Sequence, residues 1–228
     1  MPRILHFTSS PSDWQRLLAE PVKHWRTGYS ARTLAHCWEA APDGFPKEVR
    51  DALARSTDEA LANLFPVLAV PEYKVPLPGG ERASQNDIFV LARSSIGPVS
   101  IMVEGKVNES FGPTITEWRE MESPGKKRRL SYLLRQLGLP RQVDGSIRYQ
   151  LLHRAASAVI EGERYRAVAA VLLVHSFSAK RSGWGDYAAF LELFGVRAEI
   201  ALPQRLPGSQ TVPLFAVWVP GDPQFLAS

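Results

Sequence analysis

Hydrophobic positions recur at helical spacing through the first 65 residues. Trp14, Leu17 and Leu18 mark a helix over residues 11–20. Leu34, Cys37 and Trp38 form one stripe of a helix over 31–41, with Ser30 as its expected N-cap. Pro46 stands where a first-turn proline belongs, opening 47–55. Ser56 or Thr57, followed by Asp58 and Glu59, predicts a short helix ending near Phe65.

The pattern then changes. Pro66, Pro71, Pro76 and Pro78-Gly79-Gly80 punctuate an extended region that ends in a turn. Strands are predicted over 86–93 and 99–107. The short link between them, with Gly97-Pro98, pairs them as an antiparallel hairpin. Helical spacing returns at 127–139, where Leu130, Leu133, Leu134 and Leu137 make a stripe closed by Gly138 and Pro140. A second helix, 147–163, carries Ile147, Leu151, Ala155, Ala158, Val159 and Gly162 on one face. Those small residues suit close packing on a sheet. Residues 167–175 form a continuous apolar run, the mark of a strand covered on both faces. A short helix over 186–194 and an edge strand over 213–219 follow, and the tail after Pro220 reads as loose. The sum is a mixed α/β (α+β) sheet flanked by helices. We read residues 1–228 as a single domain, with a helical part over 1–65 and a sheet-containing core over 66–220.

Composition adds a core-forming 45% of apolar residues and one cysteine, Cys37, which excludes an intrachain disulfide. Residues 1–10 lack the apolar run of a signal peptide, and 168–174 is too short to span a bilayer, so a cytoplasmic protein is expected. The net charge is +4, unevenly placed. Between Lys126 and Arg154 eight basic residues (Lys126, Lys127, Arg128, Arg129, Arg135, Arg141, Arg148 and Arg154) face one acid, Asp144. A concentrated positive segment suits a polyanion, because phosphate contacts release counterions. Solvated helix faces would explain the same run.

The candidate chemistry lies on the hairpin. Asp87 opens the first strand and Glu104-Gly105-Lys106 ends the second. Residues two apart share a strand face, so Glu104 and Lys106 point together, and hairpin pairing brings Asp87 beside them. Two carboxylates supply the hard oxygen donors that Mg²⁺ or Mn²⁺ takes, and a lysine ammonium can neutralise charge on phosphoryl oxygens. A second acid-x-Lys triplet, Glu72-Tyr73-Lys74, sits among prolines in a stretch expected to be exposed, so the first is preferred.

Asp87, the gap to the next strand, Glu104-Gly105-Lys106 and the basic helix after them resemble the PD-(D/E)XK (restriction-endonuclease-like) nuclease superfamily. The resemblance covers about residues 30–176. The segments Ser84-Gln85-Asn86-Asp87, Val103-Glu104-Gly105-Lys106-Val107 and Arg148-Tyr149-Gln150-Leu151-Leu152-His153-Arg154 look like an uncharacterised bacterial family within it. Asn86 stands where the signature has proline. The resemblance implies an αβββαβ core and a metal-dependent nuclease hydrolysing phosphodiester bonds. Asp87 and Glu104 would be metal ligands and Lys106 a catalytic group. It also implies a nucleic-acid partner, DNA ahead of RNA, no membrane partner, and room for a homodimer.

Glu39, on the first core helix, would be a third metal ligand or a solvated carboxylate. Gln150 and Arg154 share a helix face. By the resemblance Gln150 would approach the scissile phosphate, with Arg154 or Arg148, or else Tyr149 and Gln150 only cap the sheet packing; Lys126, Lys127, Arg128 and Arg129 would hold the nucleic-acid backbone. Glu109 is either a loop residue or a support for the site, and Trp118 is the tryptophan best placed to stack a base. His153 and His175 are open between core, surface and ligand roles. No His-x-x-x-His or paired cysteine spacing supports zinc, and no phosphate-binding glycine loop or nucleophile elbow is present. Two alternatives stay open: a nuclease-fold protein that binds nucleic acid or a protein partner without cutting, and an unrelated fold with an accidental acid-x-Lys match.

Overall fold

A computed structural model describes residues 8–208 and 210–228. Helices α1 (Pro11–Gln15), α2 (Pro21–His24), α3 (Ser30–Glu39) and α4 (Lys47–Leu53) come first, then a 3₁₀ turn at Glu59–Leu61. Strands β1 (Phe65–Val75), β2 (Ser84–Arg93) and β3 (Pro98–Lys106) follow, then α5 (Ile115–Arg119), α6 (Pro124–Gln136) and α7 (Tyr149–Tyr165). Strand β4 (Ala169–Ser176), α8 (Trp184–Glu192), β5 (Gln204–Leu206) and β6 (Leu214–Pro220) complete the fold. The six strands make one open mixed sheet in the order β1-β2-β3-β4-β6-β5. Strands β1, β2 and β3 are antiparallel, β4 runs parallel to β3, and β6 runs parallel to β4. Among the described residues no helix is long and apolar enough to cross a membrane.

Alternation along the strands feeds two cores. Phe89, Met102, Leu172 and Ala216 face α7, while Ile88, Val103, Leu173 and Val217 face α3 and α4. The small face of α7 does what its sequence predicts: Ala155, Ala156 and Ala158 are fully buried, and Ser100 donates to the Ala158 carbonyl at 2.8 Å. Burial on both sides explains the unbroken apolar run of β4, whose eight residues are all buried.

Several expectations are revised. Residue 30 does not cap α3; Tyr29 holds that position without a side-chain bond, and Ser30 is already helical. The proline-punctuated stretch forms β1, the edge of the sheet, because its prolines lie where missing donors do little harm. The segment expected as an edge strand, β6, is interior, since the short β5 covers its far side. The tail is tied down by a 3₁₀ turn at Pro223–Ala227, with Asp222 accepting from the Gln224 N–H at 2.9 Å and Phe225 and Leu226 against the core.

Candidate active site

The antiparallel register puts Ile88 opposite Val103, so Asp87 falls opposite Glu104 at the mouth of the sheet. The expected convergence of Asp87, Glu104 and Lys106 is present. Lys106 Nζ donates to Glu104 Oε1 at 2.7 Å, and the Gly105 N–H donates to Asp87 Oδ2 at 2.8 Å. A Cβ at 105 would meet Leu34 Cδ2 at 3.1 Å and Asp87 Oδ2 at 3.4 Å, so a side chain there would crowd α3.

Helix α7 supplies the other wall. Gln150 Nε2 donates to Glu104 Oε1 at 2.8 Å, its Oε1 accepts from Lys106 Nζ at 3.2 Å, and Arg154 Nε donates to Glu104 Oε2 at 2.5 Å. Arg154 also places a terminal nitrogen 3.8 Å from Asp87 Oδ1. Glu104 is 2% exposed, Lys106 4% and Arg154 6%. Burial opposes ionisation of Glu104, but Arg154 and Lys106 outweigh it and hold its pKa at about 2. Asp87 shows the opposite balance: burial and the Glu104 charge raise it well above the usual carboxylate range.

A residue that the sequence reading set aside completes the cluster. Pro71 pairs with Ile88 and Tyr73 with Asn86, so Glu72 lies opposite Asp87. Its backbone is left-handed, at φ 51°, a conformation that costs a non-glycine residue about 1–3 kcal/mol. The kink shifts the alternation of β1: Leu68 and Val70 face the α7 core before it, and Tyr73 and Val75 after it. Glu72 Oε2 accepts from Gln85 Nε2 at 2.6 Å. Burial, reinforced by the Glu104 charge, raises Glu72 to about 7. Glu72, Asp87, Glu104, Lys106, Gln150 and Arg154 line a half-enclosed cavity of about 320 Å³, roofed in part by residues 18–31.

Glu109 supports this wall. Its Oε2 accepts from the Val107 N–H at 2.9 Å and its Oε1 from the Ser30 N–H at 2.8 Å, so a carboxylate after β3 satisfies the first turn of α3. Glu39 is not brought to the cavity. It accepts from Trp14 Nε1 at 2.7 Å and Thr8 Oγ1 at 2.8 Å and lines a separate hollow with Trp38 and Phe65.

The basic residues divide. Arg129 is buried and donates to the carbonyls of Leu77, Pro78 and Gly80, pinning the turn after β1. Arg148 bonds Asp186 and the Gly112 carbonyl, and Arg154 belongs to the cavity. Lys127, paired with Glu122 at 2.9 Å, and Arg128 face solvent; Lys126 is half-buried with its ammonium over the Trp118 ring. That ring stacks on Tyr149 at 4.1 Å. His153 meets Ser84 Oγ at 2.8 Å and is held well below its ordinary pKa by burial and by Arg154.

A second cluster lies on the opposite face, between α3, α4 and β4. Donor atoms of Cys37, Glu48 and His175 lie within 4.8 Å of one another and could hold a metal ion. Its hydrogens account for the same geometry. Trp38 Nε1 can only donate, and it meets His175 Nδ1 at 3.2 Å, so the neutral ring carries its proton on Nε2 and donates to Glu48 Oε1 at 3.1 Å. The Cys37 thiol donates to the same oxygen at 3.4 Å. Burial lowers the His175 pKa and raises that of Cys37, while the bonds from His175 and Cys37 offset the burial of Glu48 and hold it at about 2. The three residues are 11 and 127 positions apart, beyond any local motif.

The chain belongs to a family described as a domain of unknown function (DUF6946), whose model matches residues 7–223. No curated protein and no solved structure matches the chain.

Proposed function

We propose that this chain is a nuclease of the PD-(D/E)XK type, hydrolysing nucleic-acid phosphodiester bonds with Mg²⁺ or Mn²⁺. The observation that carries the reading is the meeting of Asp87, Glu104 and Lys106 where the start of β2 lies beside the end of β3, inside a cavity closed by Gln150 and Arg154. The element order around it also supports the reading: helices α3 and α4, the three antiparallel strands β1 to β3, helices α5 to α7, then the parallel strand β4.

The donor set fits a hard divalent ion. Glu72, Asp87 and Glu104 offer only oxygen, and burial, reinforced by the Glu104 charge, raises Asp87 and Glu72 above the usual carboxylate range. An added cation relieves that repulsion. Asp87 and Glu104 would hold the ion, and it would supply Lewis-acid polarisation of a phosphoryl oxygen and a more acidic water. Lys106, fixed by Glu104 and Gln150, offers its ammonium to charge developing on the phosphate. Gln150 holds Lys106 and Glu104 in mutual register. Lys126, Lys127 and Arg128 are basic side chains placed to meet a polyanion outside the cavity. A single cysteine and nucleic-acid substrates suit the cytoplasm, and a homodimer would serve double-strand cutting.

The test is cleavage of labelled DNA and RNA, single- and double-stranded, with Mn²⁺ or Mg²⁺. Glu104→Ala and Lys106→Ala, checked for folding by circular dichroism, should lose cleavage by at least a hundredfold while keeping nucleic-acid affinity. Full cleavage in both variants would refute the assignment. A second reading, a nuclease-fold binding protein without catalysis, draws on one observation: both Glu104 oxygens already accept bonds from protein cations. Nucleic-acid binding with no divalent-ion uptake under any condition would favour it.

A further inference from the structure

Arg154 stands where its charge opposes a divalent ion. Its Nε bonds Glu104 Oε2 at 2.5 Å, and its terminal nitrogen approaches Asp87 Oδ1 at 3.8 Å, so one guanidinium faces both expected ligands. Glu104 Oε1 is also engaged, by Lys106 and Gln150. With Arg154 seated, Glu104 has two cations within bonding distance, and a divalent ion placed on the same carboxylates would be repelled by both.

The guanidinium is nevertheless incompletely held. Its bond to Glu104 is short, but Ser84 Oγ lies at 3.4 Å and the approach to Asp87 is too long for a hydrogen bond. Its planar fork matches a phosphate, which accepts paired N–H bonds and carries the charge needed to draw it away from Glu104. The cavity that holds Arg154 is the one that a phosphodiester must enter.

We propose that Arg154 is a substrate-operated gate: it occupies the carboxylates until a nucleic-acid phosphate takes its guanidinium, and only then do Asp87 and Glu104 accept the divalent ion. This rests on the metal-dependent reading above and adds that ion and phosphate bind with positive coupling. Arg154 is thus a positioning residue for the ion as well as a phosphate contact. The coupling is reciprocal: the phosphate tightens the ion by the factor by which the ion tightens the phosphate.

The experiment is calorimetric titration of Mn²⁺ into the folded full chain, with and without a short DNA oligonucleotide, for wild type and Arg154→Gln. Wild type alone should bind weakly and tighten at least tenfold with the oligonucleotide. Arg154→Gln should bind at least tenfold more tightly than wild type without oligonucleotide, and the oligonucleotide should add little. Equal affinity in all four titrations overturns the gate but leaves the nuclease reading standing. Tightening in the variant without coupling in wild type also overturns it, since phosphate is then not the trigger. No Mn²⁺ uptake by either protein, with or without DNA, overturns the gate and the metal-dependent reading together. Should Arg154→Gln fail to fold, Arg154→Lys, a point charge too short to face both carboxylates, replaces it, and the wild-type pair of titrations decides the coupling by itself.

Discussion

Glu104→Gln isolates the charge at the centre of the cavity without changing its shape. In the wild type this carboxylate is shared by Lys106 at 2.7 Å and Arg154 at 2.5 Å, and all three side chains are buried. Removing the anion leaves two buried cations side by side, and breaking a buried ion pair in this way costs about 3–5 kcal/mol. A Coulomb estimate at an effective dielectric near 20 gives a similar figure, about 4 kcal/mol for unit charges roughly 4 Å apart. Asp87 responds, however. Burial and the Glu104 charge are what raise its pKa, so once that charge is gone, Arg154 favours its ionised form more strongly. That reply recovers part of the cost, leaving a net loss of about 2–3 kcal/mol at neutral pH. In an Asp87→Asn background the reply is impossible and the full loss of about 3–5 kcal/mol returns, a shift in melting temperature of roughly 6–20 °C for a chain of this size. Urea unfolding of wild type, both single variants and the double variant measures the cycle. A cost below about 1 kcal/mol for Glu104→Gln in the Asp87→Asn background would refute the claim that Glu104 neutralises both cations.

Two further outcomes test the surrounding structure. Gly105→Ala places a methyl 3.1 Å from Leu34 Cδ2 and should cost about 1–3 kcal/mol by urea unfolding, an unchanged midpoint meaning that the Leu34 side chain gives way without cost. Glu72→Gln tests the acid whose folded pKa is raised to about 7. Between pH 4.5 and 7 the folded state binds more protons there than the unfolded state, so this group lowers stability as pH rises through that window. The variant should therefore gain on wild type from pH 5 to 8 by about 1 kcal/mol, after discounting for its partly exposed side chain. A pH-independent difference in urea midpoints would show that Glu72 is not held protonated.

Local pattern alone determined much of this protein. The hairpin of β2 and β3 follows from two β-type runs and a short glycine-proline link, and alternation alone puts Glu104 and Lys106 on one face. Helical spacing likewise brings Gln150 and Arg154 together and points the small residues of α7 at the sheet. These relations involve neighbours along the chain, where strand and helix periods dictate direction. What only tertiary structure decided lies between distant segments. Glu72 looked exposed because prolines dominate its surroundings, yet edge pairing and one left-handed residue turn it toward Asp87. Glu39 sits on the expected helix but is claimed by Trp14. Glu109 caps a helix 79 residues away, and Arg129, which reads as a phosphate contact within a basic run, pins a turn from inside. Cys37, Glu48 and His175 meet with no shared motif at all. The physical reason is the same in each case. A polar side chain's role depends on which unsatisfied group burial brings within reach, and that is settled by packing of the sheet and its helices, not by spacing along the chain.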